Sequence, residues 1–311
     1  MHKLLIAADV DRTFIDSVVA DSRFDVVRQP VRSEDELLAI VGDCEILVTR
    51  AYNRVTRRVL DAAPRLKLIA QGTSGTDNID EATARERGIG IISLPGENAN
   101  AVAELVIAFL LTMTRTLPQY TAEVVRGVWS RDDCATRHEL AHYPLGIVGL
   151  GEVGRRVARL AAAFGMHVTA FDPYLDDEAF AQRGAARAAS LDELLRRSAI
   201  VTLHVPLTAE TRRMIAAPQL ALLAPGSYLV NASRGEVLDQ QAALDALASH
   251  HLAGLALDVY DPEPPTTPFP ADPRLVLTPH TAGCTFEAKA AIGTKLYGKL
   301  CEAVRQYLGV G

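Results

Sequence analysis

Cysteine is scarce in this chain, with four in 311 residues, at Cys44, Cys134, Cys284 and Cys301. None stands in a Cys-x-x-Cys pair and none has zinc-ligand spacing, so no metal site is expected and a reduced, cytoplasmic compartment is. Positive charge is also short: Lys and Arg number 32 against 38 Asp and Glu, a formal net charge of −6. A general nucleic-acid binder needs a basic face, so that class of partner is not expected. Long apolar runs are missing as well. The opening Met1–Asp9 is too short for a signal peptide, and the most apolar stretch, Ala101 to Met113, contains Glu104 and is too short to cross a bilayer. A membrane is therefore not an expected partner. What remains is an ordinary globular composition, 49% hydrophobic and 23% charged. At roughly 150 residues per domain the length suggests two domains, each able to bury a core without disulfides.

Short β-branched runs alternate with helical patterns. Leu4–Ala8, Phe24–Val27, Glu45–Thr49, Lys67–Ala70 and Gly88–Ile92 read as strands, with helices at Ser33–Val41 and Thr56–Ala63. Ser33 before three acids is an N-cap signal. This rhythm predicts a parallel sheet covered by helices on both faces. It breaks after Leu94-Pro95-Gly96-Glu97-Asn98, where one long helix is expected from about Asn100 to Leu117. That helix is apolar nearly all round, so it must be buried, in its own subunit or against a partner. Residues 118–143, with the only tryptophan, Trp129, read as polar and irregular. A second series follows, with strands at Leu145–Gly149, His167–Phe171, Ala199–His204, Ser227–Asn231, Gly254–Asp258 and Leu275–Thr278, and an amphipathic helix at Phe286–Leu308. The Pro-rich Asp261–Pro265 is a loop.

A G-x-G-x-x-G pattern, Gly149, Gly151 and Gly154, follows the first strand of the second series and opens a helical run. In that context the first glycine makes the tight turn, the second admits a pyrophosphate to the backbone, and the third lets helix and strand pack closely. Glu152 and Val153 begin the helix, whose N-terminal amides favour phosphate. Asp172 ends the next strand about 20 residues on, where an acid accepts ribose hydroxyls and repels a 2′-phosphate. Pro173 and Tyr174 follow it with no adjacent arginine, so the expected cofactor is NAD.

Three later strands each end in polar residues: Asn231-Ala232-Ser233-Arg234-Gly235-Glu236, Asp258-Val259-Tyr260-Asp261-Pro262-Glu263-Pro264 and Thr278-Pro279-His280-Thr281-Ala282-Gly283. Ligands of open α/β sheets sit at such carboxyl ends, which makes Arg234, Asp258, Glu263 and His280 candidates to converge on a nicotinamide. With these motifs, and with Gly75-Thr76-Asp77-Asn78-Ile79-Asp80 in the first half, essentially the whole chain resembles the D-2-hydroxyacid dehydrogenase family, most closely its D-3-phosphoglycerate-dehydrogenase-like branch. The resemblance implies that Arg234 binds the substrate carboxylate and C2 oxygen, that His280 is the general acid/base, and that Glu263 hydrogen-bonds it. The residue types suit reduction of a 2-oxo acid: histidine titrates near neutrality, a carboxylate raises its pKa, and arginine offers a permanently charged fork. Cofactor-binding expectations extend to His204 and Pro206 at the adenosine end, to Ala232, and to Asp258 at the nicotinamide end.

The resemblance also assigns the substrate carboxylate to amides around Ser74 and Gly75, although Thr73 stands where many relatives carry glycine. Arg50 matches an Arg-Ser pair of phosphoglycerate-type relatives, but Ala51 replaces the serine. Arg50, helped by Arg54, suits a second anion, while Ala51 and Tyr52 leave room for a phosphonate or a plain 2-oxo acid. The expected fold is two doubly wound, Rossmann-like α/β domains with a cleft between them. Residues 1–98 plus 284–311 would form a discontinuous, flavodoxin-like substrate domain and residues 99–283 the NAD domain, with hinges near Asn100 and Gly283. The expected activity moves hydride between nicotinamide and C2 of a small anionic 2-hydroxy/2-oxo acid, most like 3-phosphoglycerate. Glyoxylate/hydroxypyruvate reductase is the alternative enzyme, and a dinucleotide-sensing corepressor the alternative class. A homodimer through the Asn100–Leu117 helix and the Trp129 arm is expected. With the chain ending at Gly311, control by a C-terminal regulatory domain is not.

Overall fold

The computed structural model describes residues 1–132, 135 and 137–309; Cys134 and the end of the expected 284–311 segment lie outside the described residues. The chain divides into two compact units, Met1–Asn98 with the segment from Cys284 onward, and Ala99–Gly283.

Unit 1 runs β1 (His2–Ile6), α1 (Arg12–Ala20), β2 (Phe24–Arg28), α2 (Glu34–Ile40), β3 (Ile46–Thr49), α3 (Arg57–Ala62), β4 (Leu68–Gln71), α4 (Glu81–Glu86) and β5 (Gly90–Ile92). Its five strands are all parallel, in the order β2-β1-β3-β4-β5. Every residue of β3 and β4 is buried, as expected of central strands covered on both faces. Ser33 caps α2 in a full capping box, its hydroxyl taking the Glu36 amide while the Glu36 carboxylate takes the Ser33 amide.

Unit 2 runs α5 (Ala99–Thr114), α6 (Leu117–Val125), β6 (Leu145–Val148), α7 (Glu152–Ala163), β7 (Val168–Phe171), α8 (Asp177–Gln182), β8 (Ala186–Arg187), α9 (Leu191–Arg197), β9 (Ile200–Leu203), α10 (Ala217–Leu220), β10 (Ser227–Asn231), α11 (Gln240–Ala248), β11 (Leu252–Leu257) and β12 (Leu275–Leu277). Its seven parallel strands are ordered β12-β11-β10-β9-β6-β7-β8. The chain then returns to unit 1 as α12 (Phe286–Leu308), capped by Thr285 and packed on α1, β4 and β5.

The long apolar helix is α5, and it is buried largely within unit 2: Val106, Phe109, Leu110 and Met113 join the core formed with α7 and β10. It ends earlier than the sequence suggests. Thr116 adopts φ 49°, and the chain turns through 59° into α6, whose first turn carries Pro118. The expected irregular stretch therefore begins with a helix. Proline is tolerated in a first turn, so Pro118 marks a helix start rather than an end. No residue of α6 is buried, and Trp129 is 78% exposed. Among the described residues no single helix is long and apolar enough to cross a membrane; the bent α5–α6 pair passes by length and composition, but α5 is a core helix.

Candidate active site

Strand order reverses between β6 and β9, and ligands of doubly wound sheets sit at the strand carboxyl ends beside such a switch. Gly149 leaves β6 there with φ 88°, and a side chain on it would strike the His204 carbonyl that ends β9. A Cβ on Gly154 would lie 2.1 Å from the Gly149 carbonyl oxygen, so α7 reaches the loop only through glycine. Gly151 differs: nothing lies within 4 Å of its added Cβ. No side chain caps α7, whose N-cap is Gly151, and its first amides are left to a ligand. Bare backbone at Gly151 beside an uncapped helix N-terminus fits the pyrophosphate of a dinucleotide. The Glu152 carboxylate is taken by Arg155 at 2.6 Å and Arg156 at 2.7 Å, which hold its pKa down at about 2; only its backbone is left for a cofactor.

Asp172 accepts the Leu150 amide at 3.0 Å and the Tyr174 amide at 3.1 Å, one on each oxygen. It therefore ties the glycine loop to β7 and keeps lone pairs for ribose hydroxyls. His204 follows β9, with Nε2 at 2.9 Å from the Thr202 hydroxyl. Part of the residue meets solvent, yet the protein atoms packed round its ring desolvate it and push its pKa down to about 3, so it stays neutral near pH 7.

The catalytic candidates lie at the far strands. Asn231 ends β10 and folds the next turn, accepting the Ser233 amide and hydroxyl (3.1 and 2.9 Å) and donating to the Arg234 carbonyl (2.8 Å). Ala232 and Arg234 sit in that turn. After β11, Asp258 is 1% exposed, and its carboxylate builds the loop that follows β12. Oδ1 accepts the Thr278 hydroxyl at 2.6 Å and the Thr281 amide at 2.8 Å, and Oδ2 accepts the Ala282 amide at 2.9 Å. The Asp258 carbonyl accepts the His280 amide at 2.8 Å. The Tyr260 hydroxyl donates to the Thr278 carbonyl at 2.7 Å. These bonds hold His280 at φ 53°, a left-handed conformation that costs a non-glycine residue about 1–3 kcal/mol and persists only where its surroundings impose it.

So presented, His280 Nδ1 hydrogen-bonds Glu263 Oε1, and both side chains are 39% exposed. That bond is the main cause of a raised His280 pKa; desolvation opposes it, the Glu263 and Asp258 charges add to it, and the Arg234 charge opposes it. The arrangement offers a tuned acid/base, its carboxylate partner and a nearby permanent cation. Among the described residues no cluster could hold a metal ion.

Comparison with known proteins identifies the family. Residues 107–282 match the model of the D-isomer specific 2-hydroxyacid dehydrogenase, NAD binding domain. Over 325 residues the chain is 35% identical to D-3-phosphoglycerate dehydrogenase 1 of Saccharomyces cerevisiae, covering 99% of this chain and 68% of that protein. The chain belongs to the D-isomer specific 2-hydroxyacid dehydrogenase family. It is 36% identical over 274 residues to D-3-phosphoglycerate dehydrogenase of Methanocaldococcus jannaschii, covering 88% of this chain and 52% of the relative. The chain thus spans about half the length of that relative. Among solved structures it resembles D-lactate dehydrogenase from Aquifex aeolicus complexed with NAD and lactic acid, at TM-score 0.86 and 28% identity over 99% of this chain and 96% of that one. The segment that matches the NAD-binding domain model lies within unit 2.

The structure brings His280, Glu263, Arg234 and Asp258 together at one end of the unit 2 sheet, with the glycine loop, Asp172, His204 and Pro206 at the other strand ends. Asp258, expected at the nicotinamide, spends both carboxylate oxygens on the His280 loop. Arg50, Ser74 and Gly75 belong to unit 1. Arg50 follows β3; its Nη1 donates to the Asp9 carbonyl at 3.1 Å, and among the described residues its guanidinium meets no carboxylate. The Ser74 hydroxyl lies 3.0 Å from both the Leu94 carbonyl and Asn98 Oδ1, and among the described residues no acceptor takes the Ser74 or Gly75 amide. Sequence reasoning missed Asn231, Tyr260 and Thr278 as supports; the Asn-x-Ser pattern at a strand end is the one readable signal, since such pairs close turns.

Proposed function

We propose that the chain is an NAD-dependent oxidoreductase acting at C2 of a small anionic 2-hydroxy/2-oxo acid, most like 3-phosphoglycerate. The observation that carries the reading is the hydrogen-bonded His280–Glu263 pair held beside Arg234 in an NAD-binding domain of this family.

Bound NAD supplies the hydride acceptor, and its reduced form the donor. The chain does the rest. Backbone at Gly151, Glu152 and Val153 would receive the pyrophosphate, and Asp172 the ribose, with His204, Pro206 and Ala232 as further cofactor contacts; Asp258 acts through the His280 loop that its carboxylate holds. Arg234 orients the substrate through its carboxylate and C2 oxygen. Because Nδ1 faces Glu263, the proton exchanged with the C2 oxygen is assigned to His280 Nε2. In the reducing direction His280 gives that proton to the developing alkoxide, and in the oxidising direction it takes it. Arg50, Ser74 and Gly75 are further substrate contacts. Arg50, with no carboxylate partner among the described residues, supports a second anion, as do the relatives named D-3-phosphoglycerate dehydrogenase. Ala51, beside Arg50, favours a monoanionic acid such as glyoxylate or hydroxypyruvate as the second reading. A homodimer through the Asn100–Leu117 segment and the arm that carries the exposed Trp129 is part of the proposal, and light scattering of a stable dilute monomer refutes it.

The test is NADH oxidation with 3-phosphohydroxypyruvate, phosphonopyruvate, hydroxypyruvate, glyoxylate and pyruvate. Fast turnover of a dianionic acid, with KM raised by Arg50→Ala, is expected. Turnover of monoanionic acids alone, indifferent to Arg50→Ala, removes the second-anion reading. NADH binding without turnover of any acid points to the sensor class.

A further inference from the structure

The strand order of unit 1 also reverses, between β1 and β3, and a buried polar network fills the carboxyl ends there. Thr49 and Gln71 are 0% exposed and Asn53 is 2% exposed. Buried amides in a core of Leu, Ile and Val are costly unless every group is paired, so their bonding has a purpose to explain. Asn53 Nδ2 donates to the Ala7 carbonyl at 3.2 Å and the Val31 carbonyl at 3.0 Å, which leaves its Oδ1 to accept the Arg50 amide at 3.0 Å. Asn78 Nδ2 donates to the carbonyls of Arg50 (3.1 Å) and Asn53 (2.7 Å), so its Oδ1 must be an acceptor. Gln71 Nε2 therefore points at Asn78 Oδ1, at 2.8 Å, and also reaches Thr73 Oγ1 at 2.9 Å and the Gly75 carbonyl at 3.0 Å. Its Oε1 then accepts the Thr49 hydroxyl at 2.6 Å. The donor and acceptor sense of each amide is thus dictated by the next.

We propose that Gln71 is a positioning residue for substrate binding: its side-chain amide locks the Arg50 turn and the Thr73–Gly75 loop into one geometry. The network touches both segments proposed as substrate contacts, through Thr49 and Asn78 on one side and Thr73 and Gly75 on the other. The other residues of β4, Leu68, Ile69 and Ala70, are apolar and fully buried, so Gln71 is the one polar side chain of that strand. The inference rests on the proposed 2-oxo acid reduction, and it concerns binding rather than the proton transfer, which belongs to unit 2.

The test compares wild type, Gln71→Leu and Gln71→Glu with the 2-oxo acid that the wild type turns over best. Misplacement of a binding group by an ångström costs as much as about a hundredfold, so Gln71→Leu is expected to raise KM at least about tenfold. Its kcat should stay within about threefold and its NADH affinity unchanged, since chemistry and cofactor groups lie in the other unit. Glutamic acid can donate from its carboxyl only when protonated. The KM of Gln71→Glu relative to wild type should therefore approach one in acid and climb with pH, which a loss of stability alone does not produce. Should Gln71→Leu fail to fold, Thr49→Val, which removes only the hydroxyl that orients the amide, must raise KM in the same sense. An unchanged KM in whichever variant folds overturns the inference. Wild-type inactivity on every 2-oxo acid overturns the functional reading instead, and the wild-type arm alone reveals it.

Discussion

Replacing Glu263 by glutamine removes one negative charge and keeps a hydrogen-bonding partner for His280. The bond from His280 Nδ1 is charge-assisted when the ring is protonated. Hydrogen bonds to charged groups contribute about 1.5–3 kcal/mol against about 1 kcal/mol for neutral pairs. Both side chains are 39% exposed, so solvent screens part of the difference and the lower end applies. The imidazolium should lose about 0.5–1 kcal/mol of stabilisation, or about two- to fivefold in any step that forms it. Oxidation of a 2-hydroxy acid forms the imidazolium in its transition state and should slow by that factor at pH above the His280 pKa. Reduction needs the ring protonated beforehand. Because Glu263 is the main cause of the raised His280 pKa, reductive activity persists to higher pH than an ordinary imidazole allows and falls as pH rises through that pKa. In Glu263→Gln the fall should move to lower pH, leaving activity at acid pH and losing it near neutrality. Initial rates of NADH oxidation and NAD reduction across pH, at fixed ionic strength, measure both effects. Superimposable profiles of variant and wild type refute the claim that Glu263 tunes His280.

Three further outcomes follow from the same contacts. Gly151→Ala should leave the melting temperature unchanged, since its Cβ meets no protein atom within 4 Å, yet weaken NADH binding measured by fluorescence titration; Gly154→Ala, with its Cβ 2.1 Å from the Gly149 carbonyl oxygen, should lose both binding and about 1–3 kcal/mol of stability. Asp258→Asn leaves either Ala282 N–H or the pair of donors on Oδ1 facing an NH2 group, which should cost about 1–3 kcal/mol in urea unfolding and lower kcat through a loosened His280 loop. Ser33→Ala should cost about 1 kcal/mol through the lost cap on the Glu36 amide, with NADH oxidation kinetics unchanged.

The parallel sheets were legible because their strands are short, largely apolar and rich in β-branched residues, as in Ile46–Thr49 and Leu145–Val148, and because Ser33 is a residue type that starts helices. The glycine loop was legible because each glycine answers a steric demand that no other residue meets at Gly149 or Gly154. What escaped was structure carried by side-chain bonding across long separations. Asp258 reads as a strand-end acid near a cofactor, and only coordinates show its oxygens spent on residues 20 or more positions later. Gln71 reads as the polar end of a strand, and its amide orientation is set by Asn78 and Asn53, which no local pattern links to it. Helix α6 escaped because it buries nothing, its apolar Leu117, Val124 and Val125 all lying exposed, and because Pro118 reads equally as an ending.

The central claim is that His280 exchanges a proton with the substrate in an enzyme that binds NAD through unit 2. The most direct measurement pairs NADH binding with turnover of the preferred 2-oxo acid in His280→Ala and wild type. Loss of an aligned general acid costs about 10²–10⁴-fold, so turnover should fall by that much while NADH affinity holds. Turnover within a few-fold of wild type in a variant that binds NADH normally would contradict the account.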